Sequence, residues 1–376
     1  MPKVIWLHGM YREALKKGYG GGERSFHITT LISAITGYEI VSVVYKRPFA
    51  MGKSDYSHGN YRYLDLALTS KVERGILKIV RKLNLVKKRS AFRLFFLNPS
   101  KHSLVSFINE TLERNCIVVF DSVKGYFMVK PLVEDVRKRA GMIIYLGHNF
   151  EADYYMNFKK WIMKAEREAL GYSDLIIASS YRDAVRYEID FKMDKSKILV
   201  FPNIYPVDFP LKQKFEEKTA VIVEGAAREV SSRIAMKLLE CNAVNKLMYV
   251  GKNPPRRNDG KLIHRTFIED RGEYLLFLSQ AHIGINYGEW LGGSNVKRYD
   301  YVLAQLAVMS GGTGFRGEYL PGEIPFTDVY DLIAKIKLLD VEHLIELGRL
   351  NKEVAMRYYR DAVNKLKEKI ETCINS

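Results

Sequence analysis

The chain has 376 residues, of which 47% are hydrophobic and 27% are charged, and its formal net charge is +16. This length allows two domains of ordinary globular composition, and no apolar run reaches the roughly 18 residues of a membrane-spanning helix. The three cysteines lie far apart without a Cys-x-x-Cys or Cys/His cluster, which argues against a disulfide framework or structural zinc and favours a reducing compartment.

The first segments predict a strand followed by a glycine-rich turn. Residues 3–9 are mostly apolar. Because the chain begins this strand at once, it lacks the pattern of a signal peptide, and we expect a cytoplasmic location. Gly18 and the run Gly20–Gly22 then lead into an amphipathic helix. Glu23 stands where the dinucleotide fingerprint needs its third glycine, so the turn is either a flexible loop or another kind of phosphate contact.

A basic segment follows the second predicted strand. That strand covers residues 39–46, and the Gly-, Ser- and Tyr-rich residues 47–70 are predicted to be loop. Segment 71–93 holds nine Lys or Arg against one Glu, half of the excess charge, and its apolar residues recur at about helical spacing. Such a helix often lies on an anionic membrane surface. The alternatives are an ordinary surface helix and a nucleic-acid contact, although no recognition motif accompanies the charges.

Polar residues end a predicted strand in the middle of the chain. Core strands are predicted at 116–121 and within 142–151, and the second ends in Gly147-His148-Asn149. Polar side chains at the carboxyl end of a parallel strand point into the ligand crevice, which makes His148 a candidate site residue. The alternative is a capping or core histidine.

Prolines mark the passage from one α/β unit to the next. Three prolines between residues 202 and 210 break regular structure and predict a hinge. A strand and a glycine turn follow at 220–233. There Arg228 and Arg233 can bind phosphate oxygens through their planar guanidinium groups, or they can be solvated residues at a helix start.

Residues 282–314 carry the strongest local signal for a ligand. They predict a buried strand, a Gly-rich loop at 288–295, a helix and a second strand. In such a turn, backbone N–H groups and the helix dipole favour an anion. Lys297 lies in the first helical turn, where a cation is disfavoured unless an anion binds nearby. Asp300 follows one turn later on the same face and could hold a ribose diol, although a plain Lys/Asp pair explains the spacing too.

The stretch 292–310, GGSNVKRYDYVLAQLAVMS, resembles the C-terminal signature of family-4 glycosyltransferases of the GT-B fold, which runs roughly G-x-x-N-K-x-x-E-Y-x-A-x-G-x-P-V-V. The matching positions are Gly293, Asn295, Lys297, Asp300 in place of Glu, Tyr301, Ala304 and Val308. The chain departs from the pattern at Gln305-Leu306, at Ala307 in place of Pro, and at Gly292, where the family often has a second acidic residue. That acidic role is either missing or falls to Glu289.

Three further stretches resemble the same family, in the same order along the chain. They are the Gly20–Gly22 turn, the HNFE run at 148–151 with the helix and SDLIIASS after it, and KILVFPNIYPVDFP at 197–210. The resemblance implies an α/β GT-B fold, with two Rossmann-like domains facing each other across a cleft. The implied division is an acceptor-side domain at 1–206, a nucleotide-sugar-binding domain at 207–350, and a C-terminal helix at 351–376 that packs back on the first domain.

The resemblance also implies the transfer of a hexose from a nucleotide-diphosphate sugar to an acceptor, with retention at the anomeric carbon. The nucleotide sugar is then a substrate, and no cofactor is expected. The implied catalytic residues are His148 at the reacting sugar and Lys297 and Arg228 at the leaving diphosphate, while Asp300 would hold the ribose. The implied donor-binding set is Gly20, Gly21, Gly22, Arg228, Arg233, Gly293, Ser294, Asn295, Lys297 and Asp300. No D-x-D motif occurs in the sequence, so we expect no required metal.

Three other functions stay open. The acidic residue missing at Gly292 leaves room for a GT-B protein that binds nucleotide sugars without transferring them. An epimerase on the same fold would turn over the donor without an acceptor. A nucleic-acid-binding protein would use segment 71–93. If the chain is a transferase, that segment favours a lipid-linked or membrane-proximal acceptor and a peripheral position on an anionic membrane.

Overall fold

The computed structural model describes residues 2–11, 20–45, 57–58, 61–66, 105, 109, 111–112, 115–148, 150–151, 159–207, 209–211, 213–224, 228–256, 260–288, 296–314 and 319–375. The chain divides into two units. Unit 1 comprises Met1–Phe201 and Val363–Ser376, and unit 2 comprises Pro202–Ala362. Among the described residues, no helix is both long enough and apolar enough to cross a membrane.

Unit 1 is built on a sheet whose eight described strands run in the order β3-β4-β2-β1-β5-β6-β7-β8. Their bounds are β1 Lys3–Tyr11, β2 Glu39–Tyr45, β3 Ser57–His58, β4 Tyr61–Leu66, β5 Cys116–Asp121, β6 Ala140–Leu146, β7 Leu175–Ala178 and β8 Ile198–Val200. Every neighbouring pair is parallel except β3 with β4. All residues of β5 are buried, as expected for a parallel strand covered on both faces.

The described helices of unit 1 connect these parallel strands. They are α1 Gly20–Thr36, α2 Ser122–Val129, α3 Val133–Arg139, α4 Lys159–Gly171 and α5 Tyr181–Phe191. The bounds of α5 follow from its end residues. The Ser180 side chain accepts a hydrogen bond from the Asp183 N–H at the start, and Lys192 adopts a left-handed conformation at the end.

Unit 2 contains a six-stranded parallel sheet with the order β11-β10-β9-β12-β13-β14. Its strands are β9 Thr219–Val223, β10 Lys246–Val250, β11 Leu262–Arg265, β12 Ile283–Gly288, β13 Ala307–Gly312 and β14 Glu323–Phe326. Its helices are α6 Arg228–Glu240, α7 Arg271–Leu278, α8 Val296–Leu303, α9 Val329–Leu338 and α10 Val341–Asn375. Helix α10 begins in unit 2 and ends in unit 1.

Both sheets reverse their strand order at the first strand of the unit. In unit 2 the order corresponds to 3-2-1-4-5-6, and the reversal lies between β9 and β12. In unit 1 the equivalent reversal lies between β1 and β5. At such a point the connections leave the sheet in opposite directions and open a crevice at the carboxyl ends of the strands, where ligands bind in open α/β sheets. The topology therefore predicts one candidate ligand position in each unit, at the reversal of the strand order.

The predicted α/β fold with Rossmann-like sheets is confirmed, and one local prediction is wrong. Residues 47–70 were expected to be loop, but Tyr61–Leu66 forms β4, which pairs in parallel with β2. Its sequence, YRYLDL, has the tyrosines that favour strands, and the glycine- and serine-rich residues around it hid this signal. The basic segment 71–93 lies outside the described residues.

Two helical glycines of unit 1 should respond to alanine in opposite ways. A Cβ added at Gly125 in α2 would lie 2.2 Å from the backbone oxygen of Leu7, whereas one at Gly171, in the last turn of α4, meets no atom within 4 Å. Backbone atoms cannot move aside cheaply, so Gly125→Ala should lower the free energy of unfolding by about 1–3 kcal/mol. Gly171→Ala should raise it by up to about 1 kcal/mol, because alanine has the higher helix propensity.

Urea denaturation of both variants beside the parent chain measures the difference. If Gly125→Ala were as stable as Gly171→Ala, the result would contradict the close approach of α2 to β1.

Candidate functional site

The reversal point of unit 1 brings two imidazoles and an indole onto one carboxylate. His8 lies near the end of β1, Asp121 is the last residue of β5, and His148 lies two residues beyond β6. The Trp6 indole N–H donates to Asp121 Oδ2 at 3.0 Å, and His8 Nδ1 contacts the same oxygen. His148 Nε2 contacts the other oxygen, Oδ1. Three nitrogens, two from β1 and one from the loop after β6, thus converge on Asp121.

This carboxylate is held as an anion. Burial alone would raise the pKa of Asp121, but the positive potential and hydrogen bonds of His8 and His148 outweigh burial and hold it far below its ordinary value. Because an ionised carboxylate only accepts hydrogen bonds, each contacting ring nitrogen must carry a proton. The opposite nitrogens, His8 Nε2 and His148 Nδ1, are buried and have no hydrogen-bond partner in the described part of the chain.

The backbone beside Asp121 is strained. Ser122 has φ of +60° although it is not glycine, and α2 begins at this residue directly after β5. The Ser122 side chain accepts a hydrogen bond from the Lys124 N–H at 3.3 Å, which helps to hold the turn. Strained residues of this kind persist where surrounding structure enforces them, and they concentrate at functional sites. The sharp turn fixes Asp121 at the edge of the sheet.

Helix α1 approaches the same edge of the unit 1 sheet. Its first turn begins with Gly20, Gly21 and Gly22, the predicted donor-binding glycines. Arg24 is buried, and its guanidinium donates to three backbone carbonyls at the ends of neighbouring strands: Gly147 at 3.2 Å, Ala178 at 3.2 Å and Phe201 at 2.8 Å. Ser25 Oγ lies 3.1 Å from His148 Nε2. The start of α1 is therefore fastened beside His148.

The reversal point of unit 2 holds a lysine with a lowered pKa. Lys297 lies in the first turn of α8, and its ammonium donates to the backbone oxygen of Val223, the last residue of β9, at 3.0 Å. Burial lowers the pKa of Lys297 to about 8, against the opposing effects of Asp300 and Glu224. A cation held here, at the reversal point and next to the start of a helix, lies where the fold favours anions.

Asp300, the residue predicted to bind ribose, lies in an ion pair. Arg271 Nη2 donates to Asp300 Oδ1 at 2.6 Å, and the Tyr274 hydroxyl donates to Oδ2 at 3.3 Å. Both partners belong to α7, so the pair joins this helix to α8. A carboxylate offers about four acceptor positions, so the contacts named here do not occupy all of them. The ribose role of Asp300 stays a prediction.

A buried ion pair behind Lys297 fixes the orientation of α8. Arg298 Nε lies 2.9 Å from both carboxylate oxygens of Glu323 in β14, and Nη2 also contacts Oε2. The Ser310 hydroxyl of β13 donates to the same carboxylate. Both charged side chains are almost completely excluded from solvent. Arg298 therefore faces the sheet, while its neighbour Lys297 reaches the carboxyl end of β9.

Tyr301 closes the gap between β9 and β12. Its hydroxyl accepts from the Val223 N–H at 2.9 Å and donates to the Ile285 carbonyl at 3.2 Å. Its ring lies against Gly284, where an added Cβ would be 2.3 Å from the ring. These contacts hold the ends of the two strands that flank the reversal point.

The other predicted residues fall in three groups. Gly293, Ser294 and Asn295 lie outside the described residues. Arg228 is the first residue of α6, immediately after the turn that follows β9, but its side chain lies outside the described part of the structure. Arg233 is exposed on the second turn of α6. The structure thus places Lys297 and the start of α6 at the carboxyl end of β9.

The sequence analysis missed several residues of these sites. His8 and Asp121 could have been found by the rule that selected His148, because both are polar residues at the carboxyl end of a buried strand. No role was predicted for Glu224, the residue that directly follows β9. Its carboxylate accepts the Asn253 N–H and the Asn253 side-chain amide, both at 2.8 Å. The Arg298–Glu323 pair joins positions 25 apart, and no local pattern indicates it.

The fold closely resembles solved glycosyltransferase structures. A mutant of S. aureus TarM, in complex with fondaparinux, alpha-GlcNAc-glycerol and UDP, gives a TM-score of 0.69 at 10% identity over 100% of each chain. Sucrose-phosphate synthase from Thermosynechococcus elongatus gives 0.62 at 13% identity over 99% of this chain and 98% of its own. An E. coli trehalose-6-phosphate structure bound with UDP-2-fluoro glucose gives 0.61 at 13% identity over 100% and 99%.

These similarities show the fold, which is GT-B, as predicted. No protein-family model and no curated protein matches the chain. Membership of family 4 stays a prediction.

Removing one partner of the Arg298–Glu323 pair should lower the free energy of unfolding strongly, whereas replacing both partners should lower it only slightly. Glu323→Gln keeps the shape of the side chain but leaves Arg298 as an uncompensated buried charge, so we expect a loss of about 3–5 kcal/mol in the free energy of unfolding. The double replacement Arg298→Met with Glu323→Leu removes both charges and should recover most of this loss. Chemical denaturation of each variant measures its free energy of unfolding.

The control is Glu346→Gln, which breaks the exposed pair between Glu346 and Arg349 and should leave the denaturation midpoint unchanged. A Glu323→Gln variant as stable as this control would contradict the burial of the pair.

Proposed function

We propose that this protein is a glycosyltransferase that moves a sugar from a nucleotide-diphosphate sugar to an acceptor, with retention at the anomeric carbon. The observation that carries the proposal is the buried ammonium of Lys297 at the reversal point of unit 2, held on the Val223 carbonyl beside the start of α8. A diphosphate is the chemical group that this position suits best, because it would replace a weak neutral partner with a charged one. The resemblance to GT-B structures that were solved with UDP or a UDP-sugar supports this choice of ligand.

Departure of the sugar leaves negative charge on the nucleotide diphosphate. Fixed cations and backbone N–H groups aimed at that charge lower the barrier, because they need no reorganisation during the reaction. Lys297 supplies one cation, Arg228 and Arg233 supply two more from α6, and the Gly293–Asn295 backbone supplies N–H donors. In this proposal these groups take the place of a metal ion, and Asp300 binds the ribose while Arg271 holds its carboxylate.

His148 acts on the sugar from unit 1 in this proposal. Its imidazole is fixed by Asp121 and keeps a small exposed fraction, 14% of the side chain, whereas Asp121 and His8 are almost fully buried. It is therefore the member of the cluster that a ligand can reach. The acceptor is proposed to be membrane-proximal, since the sequence of segment 71–93 combines nine positive charges with apolar residues at about helical spacing.

A binding protein without transferase activity is the second candidate. Gly292 stands where the family often has an acidic residue, and the carboxylate of Asp300 is already paired with Arg271. Such a protein would bind nucleotide sugars through Lys297 but release no nucleotide diphosphate from them.

The activity test is the release of nucleotide diphosphate from a panel of nucleotide sugars, with and without sugar and lipid-linked acceptors. Lys297→Ala should lower turnover by on the order of 10²–10³-fold, the scale for losing one donor to a developing anion. The control variant is Lys335→Ala, because the contacts of Lys335 in the described part of the chain are with Asp331 and the Pro325 carbonyl, neither of which belongs to the proposed site. Turnover of Lys297→Ala equal to that of the control would contradict the role of Lys297.

The lowered pKa of Lys297 predicts a pH dependence of donor binding. The charged amine binds a diphosphate better than the neutral amine does, so binding raises this pKa and takes up a proton. Above the free-state pKa of about 8, affinity should therefore fall as pH rises, by up to about tenfold per pH unit. Isothermal titration calorimetry with a nucleotide-diphosphate sugar between pH 7 and 9 measures the trend.

The matched control is Lys297→Arg, since a guanidinium stays charged across this range and should give a flatter profile. Identical profiles for the two proteins would show that Lys297 does not bind the diphosphate.

A further inference from the structure

We propose that Asp121, anchored by Trp6 and His8, is a positioning residue that keeps the proton of His148 on Nε2 and leaves Nδ1 as a hydrogen-bond acceptor for a ligand hydroxyl. The contribution of Nδ1 to catalysis rests on the proposed function. The tautomer itself is a property of the protein without any ligand, and it can be tested separately.

The geometry fixes which nitrogen of His148 carries the proton. His148 Nε2 contacts Asp121 Oδ1, and this carboxylate can only accept. The second neighbour of Nε2 is the Ser25 oxygen at 3.1 Å, and a hydroxyl oxygen can accept from the same N–H. In its neutral form an imidazole has one N–H and one unprotonated nitrogen, and in neutral His148 the unprotonated nitrogen is Nδ1.

The Asp121 carboxylate is held in the orientation in which it contacts His148. Its other oxygen, Oδ2, is held by the Trp6 indole N–H at 3.0 Å and by His8 Nδ1. The indole N–H is a donor that has no other protonation state in this pH range. Trp6 and His8 come from β1 and Asp121 from β5, so the two strands that flank the reversal point position the imidazole that follows β6.

Other polar groups around His148 leave this assignment unchanged. The buried Glu151 lies close enough to interact electrostatically with His148, and burial raises the pKa of Glu151. Lys124 acts on Glu151 in the opposite direction. From α1, Arg24 donates to backbone carbonyls and Ser25 contacts Nε2. None of these described groups makes a hydrogen bond to His148 Nδ1.

An unprotonated Nδ1 on His148 determines which kind of ligand group can bind to it. A buried acceptor without a partner costs free energy, and a ligand group that donates to it recovers that cost. A sugar hydroxyl is such a donor, whereas a carbonyl or a phosphate oxygen is not. Nδ1 therefore favours a hydroxyl-bearing ligand at this position.

The decisive variant is Asp121→Asn, which has nearly the same shape. The Trp6 N–H still needs an acceptor, so the amide oxygen must face Trp6 and the amide NH₂ must face His148. His148 Nε2 then becomes the acceptor, and the proton moves to Nδ1. The matched control is Trp6→Phe, which removes a neighbour of the same carboxylate but leaves an acceptor-only group in contact with His148.

The measurement is the long-range ¹H–¹⁵N correlation spectrum of the histidine rings in ¹⁵N-labelled protein at pH 8.5, well above the ordinary imidazole pKa of about 6.5. Loss of one ring system in His148→Gln assigns the signals. We expect a bare Nδ1 in the parent chain and in Trp6→Phe, and a bare Nε2 in Asp121→Asn. A proton on Nδ1 in the parent chain would overturn the proposal even if Asp121→Asn failed to fold. An unchanged tautomer in folded Asp121→Asn would overturn it as well.

Kinetics separate this inference from the proposed function. Asp121→Asn should lower kcat by on the order of 10²–10³-fold, the scale for losing one hydrogen bond at the reacting centre. The KM for the donor should stay within about threefold, because the groups that bind the diphosphate belong to unit 2. If the spectra show the predicted tautomers but the parent chain transfers no sugar, the proposed function fails and the positioning role stands. If transfer occurs and kcat is unchanged in Asp121→Asn, the positioning role in catalysis fails alone.

Discussion

A parallel sheet brings the carboxyl ends of all its strands to one edge, and the candidate sites of this protein depend on that constraint. In each unit the strand order reverses beside the first strand, so connections diverge there and leave a crevice. Asp121 and the two histidines occupy this position in unit 1, and Lys297 occupies it in unit 2. Residues far apart in sequence meet because the parallel strands all end on the same side.

The two units contribute opposite kinds of chemistry at equivalent places. Unit 2 offers a fixed positive charge, supported from behind by the buried Arg298–Glu323 pair and from the side by Tyr301. Unit 1 offers two imidazoles around one buried carboxylate. In the proposed function, a diphosphate suits the fixed positive charge of unit 2, and a sugar hydroxyl suits the imidazoles of unit 1. This match is the physical basis of the proposed activity.

Local patterns in the sequence predicted the fold well because strands and helices of α/β units have distinct periods. The strand that begins at Ile283 and the helix that begins at Val296 are local features of this kind. Gly20–Gly22 were predicted to form a turn before a helix, but they are the first residues of α1. Strand β4 was missed because its neighbours are rich in turn formers. The partners of Asp300 and Arg298 could not be predicted, because Arg271 and Glu323 are brought near them only by tertiary packing. The rule that selects polar residues at strand ends could have identified Asp121, but no local pattern predicts its contacts with the two histidines.

The central claim is that unit 2 binds a nucleotide diphosphate at Lys297, and thermal unfolding with a panel of nucleotide diphosphates tests it most directly. A ligand present at 100 times its dissociation constant adds about 2.7 kcal/mol to the stability of the folded state. The account predicts a clear rise in the unfolding midpoint with at least one nucleotide, and loss of that rise in Lys297→Ala. No rise with any nucleotide, or an equal rise in Lys297→Ala, would contradict it.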